Sequence, residues 1–245
     1  MNENVKIYRK HDNFYLKENR YKRPKEIFKV FSQKILKYSK KNKLSHIADI
    51  GCAAGEFSYY LDSLFRDVEI HGYDVLDVLL KKAKKNVPNV KFFKKSILNS
   101  NLSKKKYYEI ITCIGVISIF DSFEEVIKNC INMCRPKGKI LLQALINSSP
   151  IEVNIKYALS EKWRYKKPLY WESGWNIFSQ KTVKNFLKKQ KRIKKFKIYD
   201  HKVKFNLKKN NDPLRTWTVN LNNKKKLMNG LNLIVPEKII EIDLH

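Results

Sequence analysis

The stretch His46 to Leu61, HIADIGCAAGEFSYYL, constrains the fold more than any other part of the chain. The residues before Gly51 are mostly apolar and carry one acid, Asp49. Beyond the glycines, Phe57, Tyr60, Leu61, Leu64 and Phe65 recur at i, i+3, i+4, i+7 and i+8, the stripe of a half-buried helix. The pattern predicts a strand, a tight glycine turn and a helix N-terminus. In an open α/β sheet that junction is where ligands bind.

The alternation continues downstream. VEIHGYD reads as a second strand ending at Asp74, followed by a helix with Leu76, Leu79, Leu80 and Ala83 on one face, and NVKFFKK as a third strand. YEIITCIGVISIF is long and apolar, like a central strand buried on both faces. A helix with Val126, Ile127, Cys130, Ile131 and Cys134 inward comes next, then GKILLQALI, a fifth strand opened by the turn RPKG. Repeated strand–helix units predict a doubly wound, mostly parallel sheet in a single α/β domain. The C-terminal FKIYDHKVKFN, RTWTVNLNN and EKIIEIDL alternate apolar and polar residues, so all three are expected as antiparallel strands completing the sheet edge, with NNDP turning between the first two. Residues 148–178 break the rhythm with Trp163, Tyr165, Tyr170, Trp171 and Trp175, an aromatic insertion before a helix that Ser179 can cap. It reads either as a substrate lid or as a small accessory core.

At 245 residues and 43% hydrophobic content the chain can bury a real core. Its longest apolar run, IITCIGVISIF, is 11 residues, against about 20 for a membrane-spanning helix. Neither secretion nor membrane insertion is expected. Cys52, Cys113, Cys130 and Cys134 lack the spacing of a disulfide framework, which points to a reducing cytoplasm. Cys130 and Cys134 share a face of the predicted helix, but no second pair or histidine couple accompanies them, so core packing is expected and no metal site is assigned. The net charge is +29. Lysine runs such as KKAKKN and KKQKRIKKFK suit a phosphate-binding surface. Only 8 of the 52 basic residues are Arg, however, the side chain favoured for bidentate phosphate recognition. The joint abundance of Lys, Asn, Ile, Tyr and Phe matches AT-rich coding, so compositional drift is preferred and a polyanionic partner is the alternative.

DIGCAAG, followed by an acid 23 residues after Gly51 at the end of the second strand, resembles the first two motifs of the class I S-adenosylmethionine-dependent methyltransferases, over about residues 43 to 146 and the terminal strands. The resemblance implies a Rossmann-like α/β sheet with S-adenosylmethionine as cofactor. It places the methionine portion against Asp49, Gly51, Cys52, Ala53 and Gly55, and the ribose hydroxyls on Asp74 with Val75 beside it. It also puts the adenine near Ser96 and Ile97, and the sulfur side near Ile114 and Gly115. Small residues let a ligand approach the backbone, and a carboxylate accepts two hydroxyl protons. Ala53 stands where the family usually has a glycine and Ser96 where it has an acid. A nicotinamide dehydrogenase competes for this pattern, but GCAAG does not fit G-x-G-x-x-G, and Glu56 at the helix start would repel pyrophosphate. On this reading residues 1–42 form an N-terminal helical cap and 43–147 the cofactor-binding core. Residues 148–178 are the insertion or lid, and 179–245 the last helix and antiparallel strands.

Methyl transfer needs alignment and, for a hydroxyl acceptor, a base. The histidine that many small-molecule members carry after the fourth strand is missing, with Ser118 and Ile119 in that neighbourhood. Asp121 is the nearest titratable group, although Ser122 and Glu125 read as a capping box that would make it a structural N-terminal acid. His201 and Glu172 are the other catalytic candidates, and His71 reads as a core histidine. No Asn/Asp-Pro-Pro-aromatic motif and no Pro-Cys dipeptide occur, which argues against methylation of exocyclic base amines or of pyrimidine carbons, and no appended RNA-binding domain is expected. The insertion and NNDPLRTWTV loosely resemble methyltransferases of bacterial surface-polysaccharide pathways. That resemblance implies a sugar or nucleotide-sugar acceptor on Tyr170, Trp171 and Trp175, with Arg215 for a diphosphate. RNA or protein methylation and non-catalytic cofactor binding are the alternatives. Oligomeric state is not assigned.

Overall fold

Strand β1 (His46–Ile50) lies inside a sheet whose order is β3-β2-β1-β4-β5-β13-β9, with β8 paired to the end of β5. The computed structural model describes residues 12, 14–99, 106–158 and 171–245; Trp163, Tyr165 and Tyr170 fall outside these residues. From β1 the chain winds outward through α3 (Glu56–Leu64), β2 (Glu69–Asp74), α4 (Asp77–Asn86) and β3 (Lys91–Lys94). It returns to the other side of β1 with β4 (Tyr108–Ile114), α5 (Glu124–Met133) and β5 (Cys134–Asn147). These pairs are parallel. The order therefore reverses between β1 and β4, which opens a crevice at the carboxyl ends of those strands. Preceding them, α1 (Phe14–Lys17) and α2 (Glu26–Ser39) form the N-terminal segment.

Period-two alternation divides the buried strand residues between two layers. Ile47, Ile70, Ile110 and Leu141 face Phe31 and Ile35 of α2, Phe57 and Leu61 of α3 and Ala83 of α4. Ala48, Ile50, Ile111, Cys113 and Leu142 face Val126, Ile127 and Cys130 of α5. Cys130 and Cys134 are both buried in this second layer, as expected for packing, though Cys134 opens β5 and is not on the helix. Leu64, expected on the apolar stripe of α3, is 41% exposed because the helix ends there.

Two-residue strands β6 (Lys156–Tyr157) and β7 (Glu172–Ser173) pair in the insertion, and β8 (Phe178–Ser179) leads into α6 (Gln180–Lys188). Ser179 caps α6 by accepting from the N–H groups of Lys181 and Thr182. Antiparallel strands β13 (Glu237–Leu244) and β9 (Ile193–Asp200) complete the sheet edge.

Three further details differ from the sequence expectation. First, RTWTVNLNN does not join the main sheet. Its strand β10 (Trp217–Leu221) pairs with β11 (Lys224–Met228), which pairs with β12 (Ile234–Val235), in a separate three-stranded sheet. The cause is local: Asn222 and Asn223 both have positive φ, 48° and 58°, the backbone of a tight hairpin turn. NNDP accordingly lies within a long excursion from the sheet, residues 201–236, and not in a sheet hairpin. Second, RPKG does not precede β5 but bulges within it, the register jumping between Tyr108–Cys134 and Ile110–Lys139. Third, the capping box of Ser122 and Glu125 does not form. Helix α5 starts one residue later, with Phe123 at its N-cap, and Ser122 bonds the Glu124 side chain.

A buried hydrogen-bonded chain ties β2 to β4. The Tyr108 hydroxyl meets the Tyr73 hydroxyl at 2.5 Å and His71 Nδ1 at 2.6 Å, while His71 Nε2 lies 2.8 Å from Glu69. His71 is thus a core histidine. Removing the shared hydroxyl by Tyr108→Phe strands two buried partners and should cost about 1–3 kcal/mol. Urea unfolding is expected to show a lower midpoint with an unchanged m value.

Candidate active site

The crevice at the carboxyl ends of β1, β2, β4 and β5 is a cavity of about 640 Å³. The glycine turn forms its floor. Gly51, at φ 70°, and Cys52 both donate their N–H to Tyr73 O, at 2.7 and 3.0 Å, which draws the end of β1 onto the end of β2. A side chain cannot be added here, because a Cβ on Gly51 would stand 2.1 Å from Val116 Cγ2. Ala53 adopts a positive φ of 48° and keeps the turn narrow. Gly55 lies outside the cavity lining; it is the N-cap of α3, and a Cβ there would meet Phe92 and Ala83. Gly115, at φ 71°, is open on its inner side, a backbone surface that a ligand could approach.

Carboxylates mark this half of the cavity. Asp74 ends β2 with Oδ2 accepting from Ala53 N and Oδ1 from Leu76 N, both at 2.9 Å, and burial raises its pKa. Asp49 accepts from Ser58 Oγ at 2.7 Å and Thr112 Oγ1 at 3.2 Å, and burial pushes its carboxyl up to about 7 despite those bonds. Glu56, also raised by burial, accepts from Arg20 N at 2.7 Å. Val75, Ser96, Ile97, Ile114 and Gly115 line the same space. Ser96 Oγ accepts from Leu98 N at 3.2 Å, which leaves its O–H to donate. The donor set fits the expected cofactor: two carboxylate oxygens for a diol and small residues beside the backbone.

The N-terminal segment walls the cavity with Tyr15, Arg20 and Pro24 to Phe28. Lys82 Nζ donates to the carbonyls of Tyr15, Leu16 and Glu18, and the Tyr21 hydroxyl to Ala54 O at 2.6 Å. At its centre Glu18 is buried yet ionised. Burial opposes the charge, but Lys25, Arg215 and Arg20 outweigh it and hold the pKa at about 2.

The opposite wall comes from β5, β13 and the excursion. His201, at the end of β9, lines the cavity with Glu237, Gln143, Leu145, Phe205 and Trp175. His201 N donates to Glu237 O at 3.0 Å, and His201 Nδ1 lies 2.8 Å from Glu237 Oε2. Facing a carboxylate, which only accepts, Nδ1 is the donor of this bond, and in the neutral imidazole that leaves Nε2 as the acceptor.

The remaining candidates disperse. Asp121 lies outside the lining, bonded to Lys156 at 2.6 Å, Ser173 and Asn176, and Lys156 foremost lowers its pKa. Glu172 is buried in the β6–β7 pair, outside the lining. Trp171 is 51% exposed, whereas Trp175 lines the cavity. Arg215 also lines it, but its guanidinium bonds Glu18 at 2.7 Å and covers the Phe14 ring. Tyr170 lies outside the described residues. Glu237, Gln143 and Glu18 went unrecognised in the sequence, where no local pattern distinguishes them from surface residues.

A doubly wound sheet with this crevice defines the class of protein. The architecture matches a SAM-dependent methyltransferase from Archaeoglobus fulgidus at TM-score 0.55 and 16% identity, over 95% of this chain and 99% of that one. It also matches the N-methyltransferase NodS from Bradyrhizobium japonicum, solved with S-adenosyl-L-homocysteine, at TM-score 0.51 and 13% identity, over 97% and 94%. The chain belongs to the methyltransferase domain family, whose model matches residues 17–190. Protein 235L of Invertebrate iridescent virus 6, a methyltransferase by name, is 26% identical over 119 residues. That match covers 48% of this chain and 44% of the viral protein. Among the described residues no helix is long and apolar enough to cross a membrane, and no group of His, Cys, Asp and Glu could hold a metal ion.

Asp49 gives the folded protein a pH signature. Its folded pKa, about 7, stands above the unfolded value of 3.8, so its contribution to stability is complete below about pH 4 and is lost as pH rises through 7. Asp49→Asn should remove that dependence. The melting temperature of the variant minus that of the wild type should become more positive from pH 4 to pH 8, and a constant difference would contradict the assignment.

Proposed function

We propose that the protein is an S-adenosylmethionine-dependent methyltransferase acting on a hydroxyl of a saccharide or other small molecule. Family membership and the carboxylate-lined crevice support the cofactor. The observation that carries the hydroxyl acceptor is the His201–Glu237 pair on the opposite wall. When bound, the cofactor supplies an electrophilic methyl group on a sulfonium.

The roles of this chain's own residues follow from their surroundings. Asp74 would hold the ribose diol on lone pairs that its two backbone donors leave over. The glycine turn and Gly115 admit the ligand to the backbone. Phe205 and Trp175 narrow the acceptor side and displace water from it. His201 Nε2 takes the hydroxyl proton, and Glu237 holds the imidazole by Nδ1 and stabilises the charge that forms on it. The distance across the sheet leaves room for an acceptor: β4 and β9 are three inter-strand spacings apart, about 14 Å.

Two measurements test this reading. Asp74→Ala should weaken S-adenosylhomocysteine binding by about 2–3 kcal/mol, the scale of lost charge-assisted hydrogen bonds; an unchanged dissociation constant for a folded variant would remove the cofactor assignment. His201→Gln should lower kcat by about 10²–10⁴ and leave S-adenosylhomocysteine affinity unaltered. To find the acceptor, radiolabelled cofactor is incubated with protein and fractionated extract; label in soluble saccharide is expected, and label only in RNA or protein would refute the small-molecule acceptor.

A further inference from the structure

The charges that line the cavity are segregated. On the floor, Asp49, Glu56 and Asp74 take their hydrogen bonds from hydroxyl and backbone donors. Of the cavity-lining cations, Arg20 and Lys25 bond Glu18, and so does Arg215 from the far wall; Lys95 lines the floor as well, its N–H donating to Asp74 O at 2.9 Å. The floor thus sets three acids against that one lysine, and a phosphate group meets Arg215 already engaged.

The excursion is different. Residues 201–236 contain eight Lys and Arg but one acid, Asp212, whose Oδ1 accepts from Leu214 N in a turn. Residues 202–208 run beside β10, where Leu207 O accepts from Thr218 N and Thr218 Oγ1 bonds both Leu207 N and Phe205 O. Val203, Phe205 and Leu207 pack inward against Leu145, Ile177 and Leu227. The alternate side chains, Lys202, Lys204, Asn206 and Lys208, are exposed. Lys208, Asn206 and Asn210 line the cavity mouth, and Lys209 Nζ lies 5.1 Å from the Trp217 ring centroid. None of these lysines has an ion-pair partner among the described residues. A row of ammonium groups without ion-pair partners, beside amide donors at the cavity mouth, suits phosphate oxygens.

We propose that the acceptor bears phosphate and that the stretch 202–209 grips it, with Lys208 at the cavity wall and Lys204 and Lys209 beside it. The fate of the bound molecule rests on the methyl-transfer reading; the phosphate site does not.

The test sets this row against an equal loss of charge elsewhere. Lys204→Ala/Lys208→Ala removes two excursion lysines. Lys194→Ala/Lys197→Ala removes two exposed lysines on β9, about 13 to 23 Å along the chain from His201. Both variants and the wild type are titrated with uridine diphosphate and with an oligouridylate of about 10 nucleotides over a range of salt concentrations. The excursion variant should bind the phosphate probe about tenfold more weakly and lower the salt slope by about two, while the β9 variant stays within about twofold of wild type. Equal weakening in both variants, or no binding of either probe, overturns the proposal. Saturable uridine diphosphate binding that the oligonucleotide does not exceed supports a phosphorylated small molecule. Tighter oligonucleotide binding with a steeper slope supports a nucleic acid strand at the same phosphate site. Calorimetry with S-adenosylhomocysteine on the same proteins separates the two readings. Wild type that binds the phosphate probe but not this ligand retains the phosphate site and loses the methyl-transfer reading.

Discussion

The packing of the Gly51 turn is the constraint on which the rest depends. Three strand ends meet there. β1 delivers Gly51 and Cys52, β2 provides the Tyr73 carbonyl that accepts both their N–H groups, and the segment after β4 provides Val116, which fills the space a side chain would need. A left-handed residue with no Cβ is the only one that reconciles the double hydrogen bond with that contact. Because the turn is drawn onto β2, Asp74 stands directly beside it and accepts from Ala53 N. The mouth between β1 and β4 is left open, and the functional groups of the cavity are arranged around that opening.

Charge is distributed around the turn in a way that net charge conceals. A protein of +29 builds much of its cavity floor from carboxylates, and burial raises each of them, outweighing Lys25 and Lys82 at Glu56 and hydrogen bonds at Asp49 and Asp74, while Lys25, Arg20 and Arg215 bond Glu18. Glu18 also joins the N-terminal segment to the excursion through Arg215. Two stretches almost 200 residues apart thereby close opposite sides of one cavity, and the ion pairs that link them are shielded enough to matter, since the Glu18 side chain is only 4% exposed.

The strand–turn–helix unit, the alternation through β5 and the acid at the end of β2 were legible because each is a local pattern. Period two or 3.6, a glycine where φ is positive and an acid at a strand end leave marks within a few residues. Helix α6 and its Ser179 cap were legible for the same reason. The C-terminal third was only partly so. β9, β10 and β13 carry the same alternation, yet the Asn222–Asn223 turn folds β10 back against β11 in its own small sheet. Alternation states that a strand has two faces and does not state which strand lies beside it.

The same distinction separates the two halves of the candidate site. The half around the glycine turn is built from residues adjacent in sequence to strand ends, so most of its lining was legible from the chain alone. The wall that holds His201 and Glu237 is assembled by register. Glu237 stands opposite Leu145 because β13 enters antiparallel beside β5, and His201 reaches Glu237 because β9 ends one pairing further on. Nothing near either residue in sequence announces the partner. Asp121 and Arg215 were plausible from their neighbours in sequence, but Lys156 and Glu18 engage them from distant segments. The sequence by itself determined the doubly wound core, its glycine turn and the acid beside it, because short-range backbone sterics and side-chain periodicity are written locally. Only the tertiary structure decided which titratable groups meet, because hydrogen bonds and ion pairs act over a few ångströms and strand pairing sets which residues come that close.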